Sequence, residues 1–232
     1  MKISIFLSLV ICIMEGTSIT WPSPMIKKLE DLKDNPLGRK ITSDESSLLA
    51  SLPILGSIFG SFLIMSIRNK LGRKPLLIVY GTASLFCNLT LAFSANIWLY
   101  FLARFIGGFN SAANLILVPM YICELADPSS RGSHGTGMIA AINIGILIPF
   151  TLGPYIRFIW YHLFLTLIPI SFIIFFSIFA LESPYYYLQS DPSRAEDLLR
   201  HLKGTQDVTD TLKEMKRSLD DTTKDSFLSQ IK

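Results

Sequence analysis

The chain has 232 residues and a formal net charge of +3. Half of its residues are apolar, 17% are charged, and the mean hydropathy is +0.44. Soluble domains carry about 25% charged residues, so this composition argues against a soluble globular protein, and the small net charge gives no indication of a nucleic acid partner.

Six apolar windows of roughly 20 residues follow one another, the length that crosses a hydrocarbon core of about 30 Å at about 1.5 Å per residue. We therefore predict an all-α membrane protein with six transmembrane helices in residues 1–181. A mixed-charge loop is expected over residues 27–47, and a polar cytoplasmic linker over residues 182–232. The windows cover residues 3–19, 48–67, 76–95, 98–122, 135–155 and 159–181.

The first window allows two interpretations. Lys2 followed by about a dozen apolar residues also fits a secretory signal peptide. We favour an uncleaved first helix, because no small-residue cleavage site stands out and the segment continues to Trp21. Either interpretation leaves the same orientation downstream.

The distribution of cations predicts the orientation. Lys and Arg concentrate in the turn between the second and third windows and in the tail, so the positive-inside rule places both termini in the cytoplasm. The loop at residues 27–47 is also basic and argues the other way. We expect a multi-pass protein of the plasma membrane, with the lipid bilayer as its surroundings.

The linker contains the signals of two short amphipathic helices. Asp191 fits a helix N-cap, Pro192 the first helical position and Gly204 the end of the first helix. A second apolar stripe over residues 208–219 has helical spacing. The stripes favour docking of both helices against the inner face of the bundle.

Two ionisable residues lie inside the windows, where a charge needs a partner or water. Glu15 comes six residues before Trp21, and Arg104 six residues after Trp98, so each lies about 9 Å below an interfacial tryptophan. We predict that they pair across the first and fourth helices or face one aqueous cavity. The alternative is that Arg104 snorkels outward and Glu15 simply lies near water.

The sequence contains no signal of an enzyme. The three histidines, His134, His162 and His201, are widely separated, and we find no metal-ligand cluster, phosphate-binding glycine loop or nucleophile with a base. We therefore predict neither a cofactor nor a metal.

Three short motifs resemble the sugar porter family of the major facilitator superfamily, and within it the insect facilitated trehalose transporters. They occur in the family's order among the six windows. The resemblance implies a fold of twelve helices in two halves around a midplane site, of which this chain would be the N-terminal half. The motifs are Gly72-Arg73-Lys74, Pro119-x-Tyr121-x-x-Glu124 followed by Arg131-Gly132, and Glu182-Ser183-Pro184.

The resemblance implies a charge network on the inner face that holds the two halves together and breaks when the carrier opens inward. Partly exposed ion pairs contribute only about 0–1 kcal/mol each, which suits a releasable latch. Asn69 stands where the family usually has Asp, and the basic turn could equally serve only as an anchor outside the lipid. The expected members are Arg68, Asn69, Lys70, Gly72, Arg73, Lys74, Glu124, Arg131 and Glu182.

Sugar recognition requires hydroxyl-binding groups on an apolar wall. We predict Asn143 in the fifth window as one such group, although it could instead bond a neighbouring helix. Thr17 and Ser18 are weaker candidates, because small hydroxyls often bond their own backbone. The remaining candidates are Glu15, Ile139, Ile142 and Ile146.

By resemblance, Arg104 matches the family's arginine in the fourth helix, whose partner in proton-coupled relatives is an acid at the position of Ser18. Glu15 lies one turn earlier on the same face, which keeps proton coupling open. Where Ile139 falls, the glucose carriers of the family have a Gln, and the trehalose-like members resemble this chain.

These observations predict a transporter of trehalose or a hexose that works by alternating access and facilitated diffusion, with this chain as one half. Its partner would be a second six-helix half, either covalent or a further copy. The alternatives are a proton-coupled sugar symporter and a truncated, non-transporting membrane protein that associates with a full-length relative.

Overall fold

The computed structural model describes residues 2–127, 129–190, 193–196, 200 and 212, and for residues 2, 69, 189 and 190 it describes the backbone alone. The chain divides into two compact units, Met1–Leu181 and Glu182–Lys232. All regular structure in the described residues is helical.

Six helical spans are long and apolar enough to cross a membrane, and each overlaps one predicted window, so the six-span all-α prediction is confirmed. The spans are Ile3–Thr20, Ser43–Arg68, Arg73–Phe93, Ile97–Leu125, Arg131–Leu152 and Phe158–Phe179. The helices of the first unit are α1 (Lys2–Thr20), α2 (Pro22–Glu30), α3 (Ser43–Leu71), α4 (Arg73–Phe93), α5 (Ile97–Ala112), α6 (Val118–Leu125), α7 (Arg131–Leu152) and α8 (Phe158–Phe179).

The predicted loop at residues 27–47 is helical at both ends, contrary to expectation. Trp21 has helical backbone angles and Pro22 lies in the first turn of α2, where its missing N–H is not needed. The chain therefore continues into α2, which Met25 and Leu29 hold on the bundle with fully buried side chains.

α3 begins five residues before the predicted window because a capping box starts it at Thr42. Thr42 Oγ1 accepts a hydrogen bond from Glu45 N (3.2 Å), and Glu45 Oε2 accepts one from Thr42 N (2.9 Å). Arg39 makes two further bonds to the same carboxylate, and they raise the pKa of Arg39.

The fourth span contains a π-helical turn, Ala113–Leu117, between α5 and α6. Pro119 lies two residues after this turn. It cannot donate a backbone hydrogen bond, and its ring does not fit against the carbonyl four residues earlier. The turn before it widens, and Val118 N donates to Ala113 O, five residues back. The single continuous helix predicted there is therefore interrupted.

Glycines allow the closest helix contacts. A Cβ on Gly16 of α1 would lie 2.1 Å from Ile142 O of α7, and one on Gly108 of α5 would lie 2.1 Å from Pro53 O of α3. Both distances are impossible for a real side chain, so these two pairs of helices approach through glycine, as expected where no water drives helix association.

The N-terminus of α8 is capped from a distant loop. Asp34 Oδ2 accepts a hydrogen bond from Phe158 N (2.7 Å), the first residue of α8. Lys28 Nζ lies 3.4 Å and Arg157 Nε 3.6 Å from the same carboxylate. This acid therefore joins α2, its following loop and the start of α8.

The second unit contains α9 (Pro184–Ser190). Leu188 and Ala195 are buried there, with Tyr185, Tyr187 and Leu212 packed against them. Of the first predicted linker helix, residues 193–196 and 200 are described and helical. The proposed cap at Asp191 and Pro192, the end at Gly204 and most of the second helix lie outside the described residues.

Candidate functional site

A cavity of about 300 Å³ lies between α1, α3 and α5. Ile19 and Ile54 on its rim are 55% and 66% exposed, so the cavity opens on the surface of the bundle. Its wall combines apolar side chains with hydroxyls and two charged groups, a composition that membrane spans show where they face water or a ligand. The lining residues are Glu15, Ser18, Ile19, Ala50, Pro53, Ile54, Ser57, Arg104 and Ser111.

Arg104 of α5 forms the floor of this cavity and is only 5% exposed. Its Nε donates to Leu49 O of α3 (3.1 Å), and its Nη1 reaches Ser18 O and Oγ of α1, both at 3.4 Å. The guanidinium carbon lies 4.5 Å from the centre of the Trp21 ring, a cation–π contact. Backbone carbonyls and an aromatic face therefore surround the charge, and it does not snorkel outward.

Glu15 of α1 is 6% exposed and accepts a hydrogen bond from Ser111 Oγ of α5 (2.9 Å). Among the described residues no ion pair within 4.0 Å joins it to Arg104, whose donors are turned toward Ser18 and Leu49. The structure thus sets the two charges on the wall of one cavity rather than in direct contact.

The two hydroxyls predicted on α1 differ in their surroundings. Thr17 Oγ1 donates to Met14 O (2.7 Å) and is buried, so it bonds its own helix. Ser18 lies on the cavity wall beside Arg104. Ser84, Asn88 and other polar residues line a second void of about 40 Å³ behind the guanidinium.

The structure does not bring the predicted α7 residues to this cavity. Asn143 is exposed, and Ile139 is 63% exposed. Ile142 and Ile146 are half-buried beside the contact of α7 with Gly16. If these four residues contact a substrate, they do so from another side of the bundle.

At the opposite end of the bundle, Arg73 of α4 and Glu124 of α6 form an ion pair. Arg73 Nη2 lies 2.9 Å and Nε 3.2 Å from Glu124 Oε1, and Arg73 Nη1 donates to Arg68 O (3.3 Å). The two side chains are only 6% and 12% exposed. The expectation of a weak, partly exposed latch does not fit this pair, because breaking a buried pair leaves an uncompensated charge.

Lys74 caps the C-terminus of α8. Its Nζ donates to Ser177 O (3.0 Å) and Ala180 O (2.7 Å), two of the carbonyls that a helix end leaves unsatisfied. Tyr121 Oη donates to Leu181 O (2.5 Å). The chain therefore leaves α8 at a position set by α4 and α6.

The other predicted members of the charge network differ in their local surroundings. Gly72 joins α3 to α4 with φ +80°, a conformation that only glycine adopts readily. Lys70 and Arg131 are exposed, while Arg68 Nη1 contacts the sulfur of Met120 at 3.8 Å. Asn69 has a helical backbone and an undescribed side chain, and Glu182 belongs to the second unit.

Comparison with known proteins decides the family. The family profile described as "Sugar (and other) transporter" matches residues 5–232. The chain belongs to this sugar transporter family. The predicted membership of the sugar porter family is confirmed, and this is a family of transporters rather than enzymes.

Curated relatives of this sugar transporter family member are similar over most of the chain. A facilitated trehalose transporter of Polypedilum vanderplanki is 27% identical over 205 residues, 88% of this chain and 40% of the relative. A sugar transporter of Arabidopsis thaliana is 28% identical over 187 residues, 79% of this chain and 38% of the relative. The chain spans about two fifths of the length of these relatives.

Solved structures share the fold of this family member. The xylose transporter XylE from E. coli in a partially occluded inward-open conformation matches with a TM-score of 0.79 at 20% identity, over 95% of this chain and 59% of XylE. XylE bound to 6-bromo-6-deoxy-D-glucose matches with a TM-score of 0.81 at 19% identity, over 96% and 54%. The six spans form one half of a major facilitator superfamily fold.

Sequence reasoning missed several residues of the cavity. Ser111 lies seven positions after Arg104, a spacing that sets both on one helix face, so this partner of Glu15 could have been found. The carbonyl of Leu49 and the ring of Trp21 carry no comparable signal. Their contacts with Arg104 arise only when α1, α3 and α5 are packed together.

Proposed function

We propose that this chain provides one six-helix half of a transporter for trehalose or a hexose, which works by alternating access and facilitated diffusion. The cavity between α1, α3 and α5 would supply part of the sugar site. Glu15, Ser18 and Ser111 would bind sugar hydroxyls, and the side chains of Ile19 and Ile54 would contact the apolar faces of the ring. The name of the Polypedilum relative supports a disaccharide as the substrate.

The observation that carries this proposal is the one-sided shape of the cavity. Its volume of about 300 Å³ equals the lower end of the roughly 300–1,000 Å³ range of small-molecule sites, which bury about 70–90% of their ligand. A cavity that opens on the bundle surface cannot enclose a sugar to that extent. A second wall is required, and a second half would supply it.

The burial of the spans supports the same arrangement. Only 17% of the most apolar window of α7 and 28% of that of α3 is buried, against 33–50% in the other four spans. α3 borders the cavity, and α7 packs against the other side of α1. We propose that these two helices contact the second half, which is either part of a longer protein or another copy.

For the inner face we propose a division of roles. The buried pair of Arg73 and Glu124 would hold α4 to α6 throughout the cycle. The exposed cations Lys70 and Arg131 would make the contacts with the second half that form and break. Both termini would lie in the cytoplasm of a cell whose plasma membrane holds the protein, and protease accessibility of tags at Lys232 and beside Gly72 tests that orientation.

Uptake measurements test the function. Cells expressing the chain receive labelled trehalose or glucose, and Ser111→Ala is compared with Asn143→Ala, which removes a polar group away from the cavity. We expect Ser111→Ala to raise KM at equal surface expression and Asn143→Ala to leave it unchanged. The opposite order would overturn the assignment of the cavity.

Absence of uptake in cells that express only this chain would instead favour a non-transporting protein. In that case a tagged full-length relative should copurify with it. Failure of both measurements would contradict the proposal and its main alternative together.

Proton-coupled symport is a second candidate, because Glu15 accepts a hydrogen bond from Ser111 and forms no ion pair with Arg104 among the described contacts. A carboxylate of this kind can exchange a proton with the cavity. Glu15→Gln should then abolish sugar accumulation driven by a pH gradient while equilibrative exchange continues. Wild-type uptake that is independent of the gradient would exclude this candidate.

A further inference from the structure

A second cavity in the described part of the chain is separate from the candidate sugar site. It is a cleft of about 880 Å³ between α2, the loop that follows it and the connection from α7 to α8. The cavity at Glu15 and Arg104 shares none of its lining residues. The proposed function makes no use of this cleft.

Positive charge dominates the cleft. Its lining includes the cations Lys27, Lys28, Lys33 and Arg157 and the acids Asp31 and Asp34. Asp34 is shared between Lys28 and Arg157, at 3.4 Å and 3.6 Å, and also accepts the hydrogen bond of Phe158 N. One carboxylate therefore faces two cations and the positive end of α8.

The remaining cations are available to a ligand. Within the described part of the chain, Lys27 and Lys33 take part in no ion pair, and both side chains are exposed. Asp31 Oδ1 accepts a hydrogen bond from the backbone N–H of Lys33 (3.3 Å). This bond does not involve the side-chain ammonium group of Lys33. The cleft thus has an excess of positive charge that attracts an anion.

One wall of the cleft is apolar. Phe150 lies in the last turn of the membrane span α7 and is 51% exposed, and Tyr155 beside it is 88% exposed. Because α7 crosses the hydrocarbon, its last turn marks the boundary between acyl chains and headgroups. The cleft therefore extends from a basic loop in the headgroup region to an aromatic side chain at the edge of the hydrocarbon.

We propose that this cleft binds the headgroup of a membrane phospholipid. The ammonium groups of Lys27 and Lys33 bind its phosphate diester, with Lys28 and Arg157 behind them. The carboxylate of Asp31 attracts the ammonium group of a zwitterionic headgroup such as phosphocholine. An acyl chain runs along Phe150. A free phosphate would use the cations but not the aromatic wall, which is why the combination selects a lipid.

Native mass spectrometry of the purified, delipidated chain tests this site. The protein is titrated with phosphatidylcholine, with phosphatidylglycerol and with diacylglycerol, which has the chains without the phosphate. The variant Lys27→Gln with Lys33→Gln is compared with Lys40→Gln, an exposed lysine of the same loop that does not line the cleft. A thermal melt of each variant checks that the fold is retained.

We expect each phospholipid to bind Lys40→Gln as tightly as it binds wild type. The affinity of the double variant should be lower by about fivefold for each cation removed. Phe150→Ser should weaken phospholipid binding without changing competition by inorganic phosphate. The proposal is overturned if wild type retains no phospholipid, if diacylglycerol binds as tightly as phospholipid, or if Lys40→Gln has the effect of the double variant. Displacement of the lipid by inorganic phosphate at equal affinity would also overturn it.

Discussion

The buried ion pair between Arg73 and Glu124 allows a sharp test of what holds the inner end of the bundle together. Arg73→Gln leaves the Glu124 carboxylate, whose side chain is 12% exposed in the intact pair, with its charge uncompensated. Removing one partner of a buried pair costs about 3–5 kcal/mol. We use the lower end, about 3 kcal/mol, because Gln retains one hydrogen-bond donor and some exposure remains.

This loss corresponds to a fall in melting temperature of about 6–12 °C, at about 2–4 °C per kcal/mol for a chain of this size. The measurement is a thermal melt of the detergent-purified protein. Arg131→Gln makes the same chemical change at an exposed arginine that has no ion pair within the described part of the chain, and it should leave the melt unchanged.

A double variant separates stability from switching. The double variant Arg73→Met with Glu124→Leu removes both charges of this pair, so neither is left buried without its partner and most of the lost stability should return. If the pair acts only as a brace, sugar uptake should return with it. A difference in melting temperature of about 2 °C corresponds to at most about 1 kcal/mol, at about 2–4 °C per kcal/mol. If the melting temperatures of Arg73→Gln and Arg131→Gln differ by less than this, the claim that the pair stabilises the bundle is refuted.

Three further predictions follow from single contacts. Gly16→Ala should destabilise the protein by about 1–3 kcal/mol in a thermal melt, because the new Cβ would lie 2.1 Å from Ile142 O. Gly107→Ala is the control and should leave the melting temperature unchanged, because nothing lies within 4 Å of its Cβ. Asp34→Ala should lose about 1 kcal/mol of stability with the cap of α8, and Asp34→Asn, which keeps an acceptor, should lose less; equal melts of the two variants would contradict the capping role. Lys74→Gln should increase hydrogen exchange of the last turn of α8, because its two carbonyl contacts are lost, and unchanged exchange there would show that this lysine does not hold the helix end.

The positions of the helices could be predicted because the bilayer imposes a length on each span, and length is visible in a linear sequence. Two features that were misjudged, the start of α3 and the π-helical turn in the fourth span, depend on local hydrogen bonds. Thr42 and Glu45 form a capping box with a recognisable spacing, so the longer α3 could have been foreseen. The π-helical turn before Pro119 has its cause in the sequence, but its form depends on how the neighbouring helices pack.

The candidate site was predictable only in part. That Glu15 and Arg104 lie at one depth follows from counting residues to the interfacial tryptophans. Whether they touch depends on side-chain directions and on competing partners. The carbonyl of Leu49 and the hydroxyl of Ser111 are those partners, and both come from other helices.

The sequence by itself determined the class of this protein, the number and approximate positions of its spans, and its family. These properties depend on the hydrophobicity along the chain and on short motifs. Both signals can be read without knowing which residues are neighbours in space. Only the tertiary structure decided which polar groups share a cavity, which ion pair is buried, and where basic residues meet an exposed aromatic side chain. These features depend on distances between helices, and the helices can approach so closely only where glycines such as Gly16 and Gly108 leave room for a neighbouring backbone.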